Sequence, residues 1–427
     1  MPKVLYVCHN HPKNAPGGAE QYAYELFRCI RDSDLFDAVF VSKVGSPMSI
    51  DTAHEGTRFG LFDGDPNEYS IHTSFEEFDR MTGTARRKQL YTEDWRTFLR
   101  MHQPDVVHFH HNMGLGYDMI RQTRRTLPDA AIVYHLHEFV SICFHNGQMI
   151  RKESNELCHA ASPRRCHECF PHIAPQTFFL REHFIKSTFE LVDMFITPSE
   201  HARQRYVDWG LPEHKVMHED YGRIPVAPIP DPPEAGRRRR VGFFGQFTKF
   251  KGVDVLLEAM KILEHEEAGI QLLLRGANLE RTEPKFQKKI RDLIEETSTS
   301  VLFTGRYEQA ELPGLLSAVD WVIVPSIWWE TGPLVIHEAL MHRRPVICSD
   351  IGSMLERIDD GVNGLHFRVG DPGSLAETIR YAVDTPGLWD EVRARIRNPH
   401  PMEDHLPVIY DLYNRLLDRA GNPVVTR

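Results

Sequence analysis

The strongest chemical pattern in the sequence is a pair of glutamates, Glu330 and Glu338, with seven residues between them. An apolar run ends shortly before Glu330, and Pro333 has the fixed backbone angle that favours the first residue of a helix. Backbone N–H groups at a helix start have no intrahelical partner, so Thr331 and Gly332 could direct theirs at an anion. A diphosphate held there would lie between two carboxylates able to accept hydrogen bonds from ribose and sugar hydroxyls.

This arrangement resembles the retaining family-4 glycosyltransferases of GT-B fold, whose signature is a Glu, seven residues and a second Glu. The resemblance is dense from about Val241 to Ala382, and thinner but collinear from Lys3 to Gly222. It implies that Lys251 contacts the donor diphosphate, where an ammonium group offsets phosphate charge. The family commonly has Arg directly after the glycine matching Gly245. This chain has Gln246 there, which leaves more of the phosphate charge to Lys251 and the helix start.

The same resemblance implies roles for residues of the first half. Gly17 and Gly18 lie between the first predicted strand and the first helix, beside the donor phosphate and the acceptor in similar enzymes, although a glycine pair alone equally fits a tight turn. His137 aligns with a family histidine close to the transferred sugar, and a structural histidine is the alternative. The resemblance makes His137 and Glu330 the catalytic residues. The predicted donor-binding residues are Gly17, Gly18, Gly245, Lys251, Thr331, Gly332, Pro333, Leu334 and Glu338.

Four cysteines, Cys143, Cys158, Cys166 and Cys169, occur in a polar loop spanning residues 141–172. Four thiolates can form a tetrahedral zinc site, although only the last pair has the C-x2-C spacing typical of one. A loop of this length with little periodicity usually needs an external restraint. The sequence therefore predicts a structural zinc ion and no cofactor for catalysis. The alternatives are four unligated thiols, a pair oxidised after purification, and an iron–sulfur cluster.

Short apolar runs alternate with helical patterns twice along the chain, which predicts two parallel sheets with helices on both faces. The expected class is α/β with GT-B architecture, two facing Rossmann-like domains with an inter-domain cleft. The first set of predicted strands is Val4–Cys8, Ala38–Val41, Asp105–Phe109, Ala131–Leu136 and Met194–Pro198. The second set is Val241–Gly245, Gln271–Leu274, Val301–Thr304, Trp321–Val324 and Pro345–Cys348.

Proline content marks the expected domain boundary, because five prolines within residues 225–236 favour a semi-rigid linker. The predicted parts are an acceptor-side N-terminal domain (1–224) with an insertion at about 46–98, the linker (225–236), a donor-binding domain (237–401), and a C-terminal helix and tail (402–427) that packs back toward the N-terminal domain.

Charge and hydropathy limit the partners. Sixty acidic and fifty basic residues give a formal charge of −10, which does not support nucleic-acid binding. No apolar run approaches the roughly 18 residues of a membrane span, so we expect none, with peripheral membrane contact left open. The chain enters a strand at once, without the pattern of a secretion signal. It has seven cysteines, an odd number, so we do not expect a framework of disulfides. The expected location is the cytoplasm, including the inner face of the membrane.

Taken together, the resemblance implies transfer of a sugar from a nucleotide diphosphate sugar to a hydroxyl acceptor, with retained anomeric configuration. Such a reaction would serve the synthesis of a polysaccharide, a glycolipid or a glycosylated metabolite. Two alternatives keep the same fold, a nucleotide-sugar epimerase and a catalytically silent sugar-nucleotide-binding scaffold. The sequence does not specify the base, the sugar or the acceptor.

Overall fold

The computed structural model describes residues 1–15, 17–45, 58–88, 90–230 and 238–419. The chain divides into two compact units. The first unit comprises Met1–Ile224 together with His400–Arg427, and the second comprises Pro225–Pro399. Residues 231–237, which include the second half of the predicted proline-rich linker, and the tail from residue 420 onward lie outside the described residues.

The first unit is built around an eight-stranded sheet with strand order β3-β4-β2-β1-β5-β6-β7-β8. Its strands are β1 (Lys3–Cys8), β2 (Asp37–Val44), β3 (Phe59–Phe62), β4 (Asp65–His72), β5 (Val106–Phe109), β6 (Ala131–His135), β7 (Met194–Thr197) and β8 (Val216–His218). Neighbouring strands are parallel, except β3 and β4, which pair antiparallel at one edge. The last five residues of β1 are all buried, as expected when helices cover both faces of a sheet.

The helices of the first unit come from both ends of the chain. They are α1 (Gly18–Arg31), α2 (Arg96–His102), α3 (Asp118–Thr126), α4 (Pro163–Cys169), α5 (Pro175–Phe189), α6 (Glu200–Trp209) and the C-terminal α14 (Met402–Arg419). The Tyr413 hydroxyl of α14 lies 3.0 Å from the Tyr6 hydroxyl of β1 and 2.7 Å from Nδ1 of His108 on β5. The last helix therefore packs on the first sheet.

The segment predicted as an insertion contributes two strands to this sheet. β4 pairs parallel with β2, and β3 pairs with β4 at the edge. The buried Glu68 on β4 interrupts the apolar pattern that would have revealed a strand. Its carboxylate is satisfied by the Nε2 of His11 at 3.0 Å and the hydroxyl of Tyr24 at 2.9 Å. Residues 46–57 of the predicted insertion lie outside the described residues.

The second unit contains a six-stranded parallel sheet with order β11-β10-β9-β12-β13-β14. Its strands are β9 (Arg240–Gln246), β10 (Gln271–Ala277), β11 (Val301–Gly305), β12 (Trp321–Val324), β13 (Val346–Ser349) and β14 (Gly364–Phe367). Its helices are α7 (Val253–His265), α8 (Pro284–Glu296), α9 (Leu312–Ser317), α10 (Leu334–Met341), α11 (Met354–Arg357), α12 (Pro372–Asp384) and α13 (Leu388–Arg395). The edge strands β8, with three residues, and β14, with four, were not predicted.

Each sheet has a point at which its strand order reverses, between β1 and β5 in the first unit and between β9 and β12 in the second. In parallel α/β sheets, ligands bind beyond the carboxyl ends of the strands at such a switch point, because the loops on either side diverge there. A ligand-binding site is therefore expected at the loops that follow these four strands.

Among the residues that the structure describes, no helix is both long enough and apolar enough to cross a lipid bilayer.

Candidate active site

The loop after β12 forms a compact polar cluster around Glu330. One oxygen of this carboxylate, Oε1, accepts hydrogen bonds from Nζ of Lys251 at 2.6 Å, Oγ of Ser326 at 2.7 Å and Nε1 of Trp328 at 2.8 Å. Burial opposes ionisation of Glu330, but the Lys251 charge and the three donors together lower the pKa of the carboxyl. Lys251 is less enclosed, with 28% of its side chain exposed.

The two switch-point loops of the second unit touch, which brings Lys251 to Glu330. Gly252 has a φ of +66°, and a Cβ placed there would lie 1.8 Å from the carbonyl oxygen of Pro325. The backbone N–H of Ile327 donates to the carbonyl of Phe250 at 2.9 Å. Any residue larger than glycine at position 252 would push the loops apart, so glycine at this position is a geometric requirement of the site.

The helix that follows begins one residue later than predicted. Pro333 has φ −72° and ψ 107°, which makes it the residue that caps α10, and the first helical residue is Leu334. The proline ring fixes φ, but ψ decides whether a residue is helical, and sequence does not determine ψ here. Thr331 and Gly332 lie in the turn just before this helix start.

Glu338 lies in the second turn of α10 and is buried. Its Oε1 accepts a hydrogen bond from Nε2 of Gln309 at 2.8 Å. Tyr307 is close enough that burial and the Glu338 charge both raise the pKa of its hydroxyl. The two predicted carboxylates therefore stand in different surroundings, Glu330 paired with a cation and Glu338 with a neutral amide. Gly245, also predicted to bind the donor, lies near the end of β9, followed by the exposed Gln246.

In the first unit, Gly17 and Gly18 form the start of α1. Gly17 caps the helix, and a Cβ at this position would lie 2.4 Å from Oε2 of Glu20. Gly18 is the first helical residue. Glycine therefore allows the buried Glu20 carboxylate to fold back against the start of its own helix.

His137 follows β6 and is buried, with both ring nitrogens engaged. Nε2 lies 3.1 Å from Nδ1 of His110, and Nδ1 lies 2.8 Å from the hydroxyl of Tyr221. Burial, with the neighbouring His108 and His9, lowers the pKa of His137 well below its usual range, so the ring is neutral. In this structure the histidine predicted to lie close to the transferred sugar already contacts protein groups through both ring nitrogens.

A second group of titratable residues surrounds the switch point of the first sheet, and sequence analysis did not find it. His9, after β1, pairs with Glu20 at 2.8 Å, and its ring contacts that of His111, after β5, at 4.2 Å between centroids. Nε2 of His111 in turn lies 3.4 Å from Oε1 of Glu138, after β6. The signal that could have revealed this group is the placement of His9, His111 and Glu138 within three positions of a strand end, whereas Glu20 lies in the first turn of α1.

Three histidines of the first sheet, His108, His110 and His135, bring ring nitrogens within 4.8 Å of one another. The rings of His110 and His135 are stacked, with 16° between their planes, and those of His108 and His135 with 18°. Imidazole lone pairs lie in the ring plane, so stacked rings direct them side by side rather than toward one metal ion. We assign this group to core packing.

Another such set, Glu219 with His400 and His405, is a hydrogen-bonded cluster within the first unit. Oε1 of Glu219 accepts from His400 at 2.8 Å and from His405 at 2.7 Å. Burial alone would raise the pKa of Glu219, but these bonds hold it at about 2. The pairing accounts for the cluster and ties the start of α14 to the segment after β8.

The four cysteines of the predicted zinc site are free thiols. The loop doubles back, since the backbone N–H of Cys158 donates to the carbonyl of Met149 at 2.7 Å, and Cys166 and Cys169 lie on α4. Among the described residues, no three of these thiols lie within 4.8 Å of one another. Sulfurs around tetrahedral zinc are about 3.8 Å apart, so zinc binding would require them to move closer. The zinc site stays a prediction.

Two family models match the chain. The model described as Glycosyltransferase Family 4 matches residues 16–218, and the one described as Glycosyl transferases group 1 matches residues 238–385. Together they cover the bulk of both units. The chain belongs to the glycosyltransferases. This confirms the predicted glycosyltransferase family.

Individual relatives agree with this assignment. This glycosyltransferase is 24% identical over 407 residues to the glycogen synthase of Mycobacterium tuberculosis, covering 90% of this chain and 86% of that protein. It is 29% identical over 128 residues to the lipopolysaccharide 1,2-N-acetylglucosaminetransferase of Salmonella typhimurium, covering 29% of this chain. That second match spans 34% of the length of the Salmonella protein. A further match, to a Klebsiella pneumoniae protein in the cps region, spans 39% of the length of the Klebsiella protein.

Solved structures show the same fold. Sucrose-phosphate synthase from Thermosynechococcus elongatus superposes with a TM-score of 0.68 at 17% identity, covering 98% of this chain and 100% of that one. HepE of Anabaena in complex with UDP-glucose superposes with a TM-score of 0.66 at 15% identity, with the same coverage. The predicted α/β class with two mostly parallel sheets is therefore confirmed, and the fold is that of GT-B glycosyltransferases.

Proposed function

We propose that this glycosyltransferase moves a sugar from a nucleoside diphosphate sugar to a hydroxyl acceptor with retention of the anomeric configuration. The observation that carries the proposal is the Lys251–Glu330 pair at the switch point of the second sheet. It places one cation and one carboxylate where a donor is expected to bind, directly before the start of α10.

Lys251 has the capacity to bind the leaving diphosphate. An ammonium group has three N–H donors, and the contact to Glu330 at 2.6 Å uses one of them. The other two can bind phosphate oxygens while the pair stays intact. Negative charge grows on the diphosphate as the bond to the sugar breaks, so a fixed cation and the positive end of α10 stabilise the transition state more than the ground state.

The two glutamates suit different parts of the donor. Three donors converge on Oε1 of Glu330, which fixes the carboxylate and directs its second oxygen to other partners, for which a hydroxyl of the transferred sugar is suited. Glu338 accepts a hydrogen bond from the neutral Gln309 amide rather than from a cation, and we assign it the ribose hydroxyls.

The relatives support the donor class. The HepE structure contains UDP-glucose, and the catalytic domain of starch synthase IV from Arabidopsis thaliana was solved with ADP and acarbose. Both nucleotides are nucleoside diphosphates, and they differ in the base. We therefore propose the diphosphate sugar as the donor class, without specifying the base.

In the proposed reaction, the bond between the anomeric carbon and the diphosphate oxygen breaks. The acceptor oxygen bonds to the same face of that carbon, and the acceptor proton passes to the departing phosphate. No side chain forms a covalent bond to the sugar. The main requirement on the protein is a site that holds the separating charges away from water.

The experiment begins with a thermal-shift screen of UDP-, GDP-, ADP- and dTDP-sugars, because a ligand that binds the folded state raises the melting temperature. With the donor so identified, NMR of the first-formed product is expected to show the anomeric configuration of the donor. Since Lys251 supplies positive charge at the phosphates, turnover is expected to persist in EDTA. An inverted product, or activity abolished by EDTA and restored by magnesium, would contradict the proposal.

Replacing Glu338 by alanine is expected to weaken nucleotide binding by about 1–3 kcal/mol, the scale of a lost hydrogen bond to a charged group. Glu330→Ala is expected to leave free-nucleotide affinity nearly unchanged and to reduce turnover. Isothermal titration calorimetry measures both, with the exposed Glu377→Ala on α12 as the matched control. Equal losses of nucleotide affinity in the two site variants would show that the assigned roles are wrong.

We also propose that Cys143, Cys158, Cys166 and Cys169 bind one structural zinc ion in the cytoplasm, a reducing compartment where disulfides do not persist. Elemental analysis of protein without a histidine tag is expected to find about one zinc per chain, lost in Cys166→Ser/Cys169→Ser. Cys29→Ser, a thiol on α1 outside the loop, is the control and should keep the metal. Less than about a tenth of an equivalent in the parent protein would contradict the site.

A further inference from the structure

The cluster at the switch point of the first sheet includes one glutamate whose side chain is partly exposed to solvent. Its four members, His9, Glu20, His111 and Glu138, follow or face the ends of β1, β5 and β6. Glu20 and both histidine side chains are almost completely enclosed, whereas 23% of the Glu138 side chain is exposed. Of the four groups, Glu138 is therefore the one a dissolved molecule can touch.

A backbone hydrogen bond fixes the orientation of the His111 ring toward Glu138. Its Nδ1 accepts from the backbone N–H of Met113 at 3.0 Å. Burial, with His9 and His137 nearby, lowers the pKa of His111 well below its usual range, so its ring carries a single proton. Because Nδ1 is an acceptor, that proton is on Nε2, which faces Oε1 of Glu138 at 3.4 Å.

The Glu138 carboxylate contacts protein groups through both oxygens but retains unused acceptor positions. Oε2 accepts from the backbone N–H of Val140, and Oε1 faces His111. A carboxylate has about four acceptor positions, so these two contacts leave capacity for hydroxyl groups. Gly147, with a φ of +74°, approaches closely enough that a Cβ there would lie 3.0 Å from Oε2, so the loop packs against the carboxylate and limits its movement.

Polar atoms without protein partners lie in the same loops. Within the part of the chain that the structure describes, Oδ1 of Asn10 and Oδ1 of Asn112 are buried and have no hydrogen-bond partner. Asn10 follows β1 and Asn112 follows β5, the two strands that flank the switch point. Buried acceptors of this kind are normally satisfied, by water or by a ligand rich in hydroxyl groups.

We propose that Glu138, oriented by His111, binds a hydroxyl group of the acceptor, which we infer to be a sugar or another polyol. This inference rests on the proposed function, since it supplies the acceptor side of the same transfer. Glu138 is a binding residue in this proposal. The acceptor proton still leaves with the phosphate, so substitution should affect acceptor KM far more than kcat.

The environment of Glu138 gives the proposal a pH signature. Burial raises the pKa of Glu138 to about 7, against the opposing effects of the Val140 N–H, His9 and Arg181. The charged or titratable groups around it on the surrounding loops and helices include His9, His111, Tyr117, Tyr134, Arg181 and Tyr206, with Glu20 behind His9. The histidines and tyrosines have pKa values shifted away from neutrality, so Glu138 is the member of this group that titrates there.

The direction of the pH effect follows from the ionised form. Above pH of about 7 the carboxylate accepts hydrogen bonds from a hydroxyl, and below it the added proton removes acceptor capacity. The kcat/KM for the acceptor should therefore fall up to tenfold per pH unit below about 7, while kcat/KM for the donor does not follow the same curve.

The test uses the full chain, the donor found by thermal shift, and a panel of p-nitrophenyl glycosides as acceptors. Glu138→Gln keeps the size of the side chain and an oxygen for the Val140 N–H. We expect acceptor KM to rise at least about tenfold, kcat and nucleotide affinity to change less than about threefold, and the acidic limb to disappear. Glu153→Gln, an exposed carboxylate of the same loop region, is the matched control.

Two results would overturn the proposal, an unchanged acceptor KM in Glu138→Gln and an acidic limb that persists in the variant. Saturation-transfer NMR with the same glycosides, without donor, separates this inference from the proposed function. Binding that weakens from pH 8 to pH 6 in the parent but not in the variant supports the acceptor site even if no donor is turned over. Failure of every glycoside to bind the parent protein counts against it.

Discussion

Replacing Lys251 by methionine should lower kcat/KM for the donor by about 10²–10³-fold, the largest effect expected of any single substitution here. Methionine keeps the length and apolar body of the side chain while removing the ammonium. The leaving diphosphate then loses its fixed cation, and the buried Glu330 carboxylate loses the partner 2.6 Å away. Steady-state kinetics with the natural donor measures the effect, and Lys261→Met, at an exposed lysine of α7, is the control.

A loss of activity through unfolding must be distinguished from a loss of catalysis. Without Lys251, an ionised Glu330 would be enclosed and uncompensated, which destabilises the loop. The double variant Lys251→Met/Glu330→Gln removes that charge, so its melting temperature should recover toward the parent value while turnover stays low. Turnover that recovers with stability would show that Lys251 has a structural role rather than a role at the phosphates.

Replacing His137 by alanine should lower kcat by about 10²-fold or more, with little change in donor affinity. In the structure, Nε2 of His137 contacts His110 and Nδ1 contacts Tyr221, so neither nitrogen is available without a change of partner. His137 can donate to the transferring sugar only by exchanging one of these contacts for the substrate. Rapid-quench or steady-state assays at saturating donor, alongside calorimetry with the nucleotide, measure both quantities.

Tyr221→Phe is the matched variant for His137, since it removes one hydrogen-bond partner and leaves the imidazole in place. If His137 acts on the substrate, Tyr221→Phe should reduce kcat far less than His137→Ala does. Near-normal turnover in His137→Ala would instead identify a structural histidine. Equal reductions in the two variants, together with equal losses of melting temperature, would point to the same conclusion.

The part of the donor site that sequence analysis found is the part encoded by neighbouring residues. Glu330, Pro333 and Glu338 lie within one short stretch, and a strand, a loop and a helix in that order place them without reference to the rest of the chain. The contact between Lys251 and Glu330 spans 79 positions and depends on two loops meeting at Gly252. The resemblance to a known family, rather than spacing, brought Lys251 into the prediction.

The sequence by itself determined the α/β class, the central strands of both sheets and the family, because continuous apolar runs and glycine-proline signals are local. Only the tertiary structure revealed that residues 58–88 contribute β3 and β4, since the buried Glu68 breaks the apolar pattern and is satisfied by distant partners. It also decided that His137 is held on both sides, and that His9, Glu20, His111 and Glu138 form one cluster. His9, His111 and Glu138 follow three different strands, and parallel pairing of β1, β5 and β6 brings their ends together, where Glu20 reaches them from α1. Strand order is a long-range property, so no local pattern encodes it.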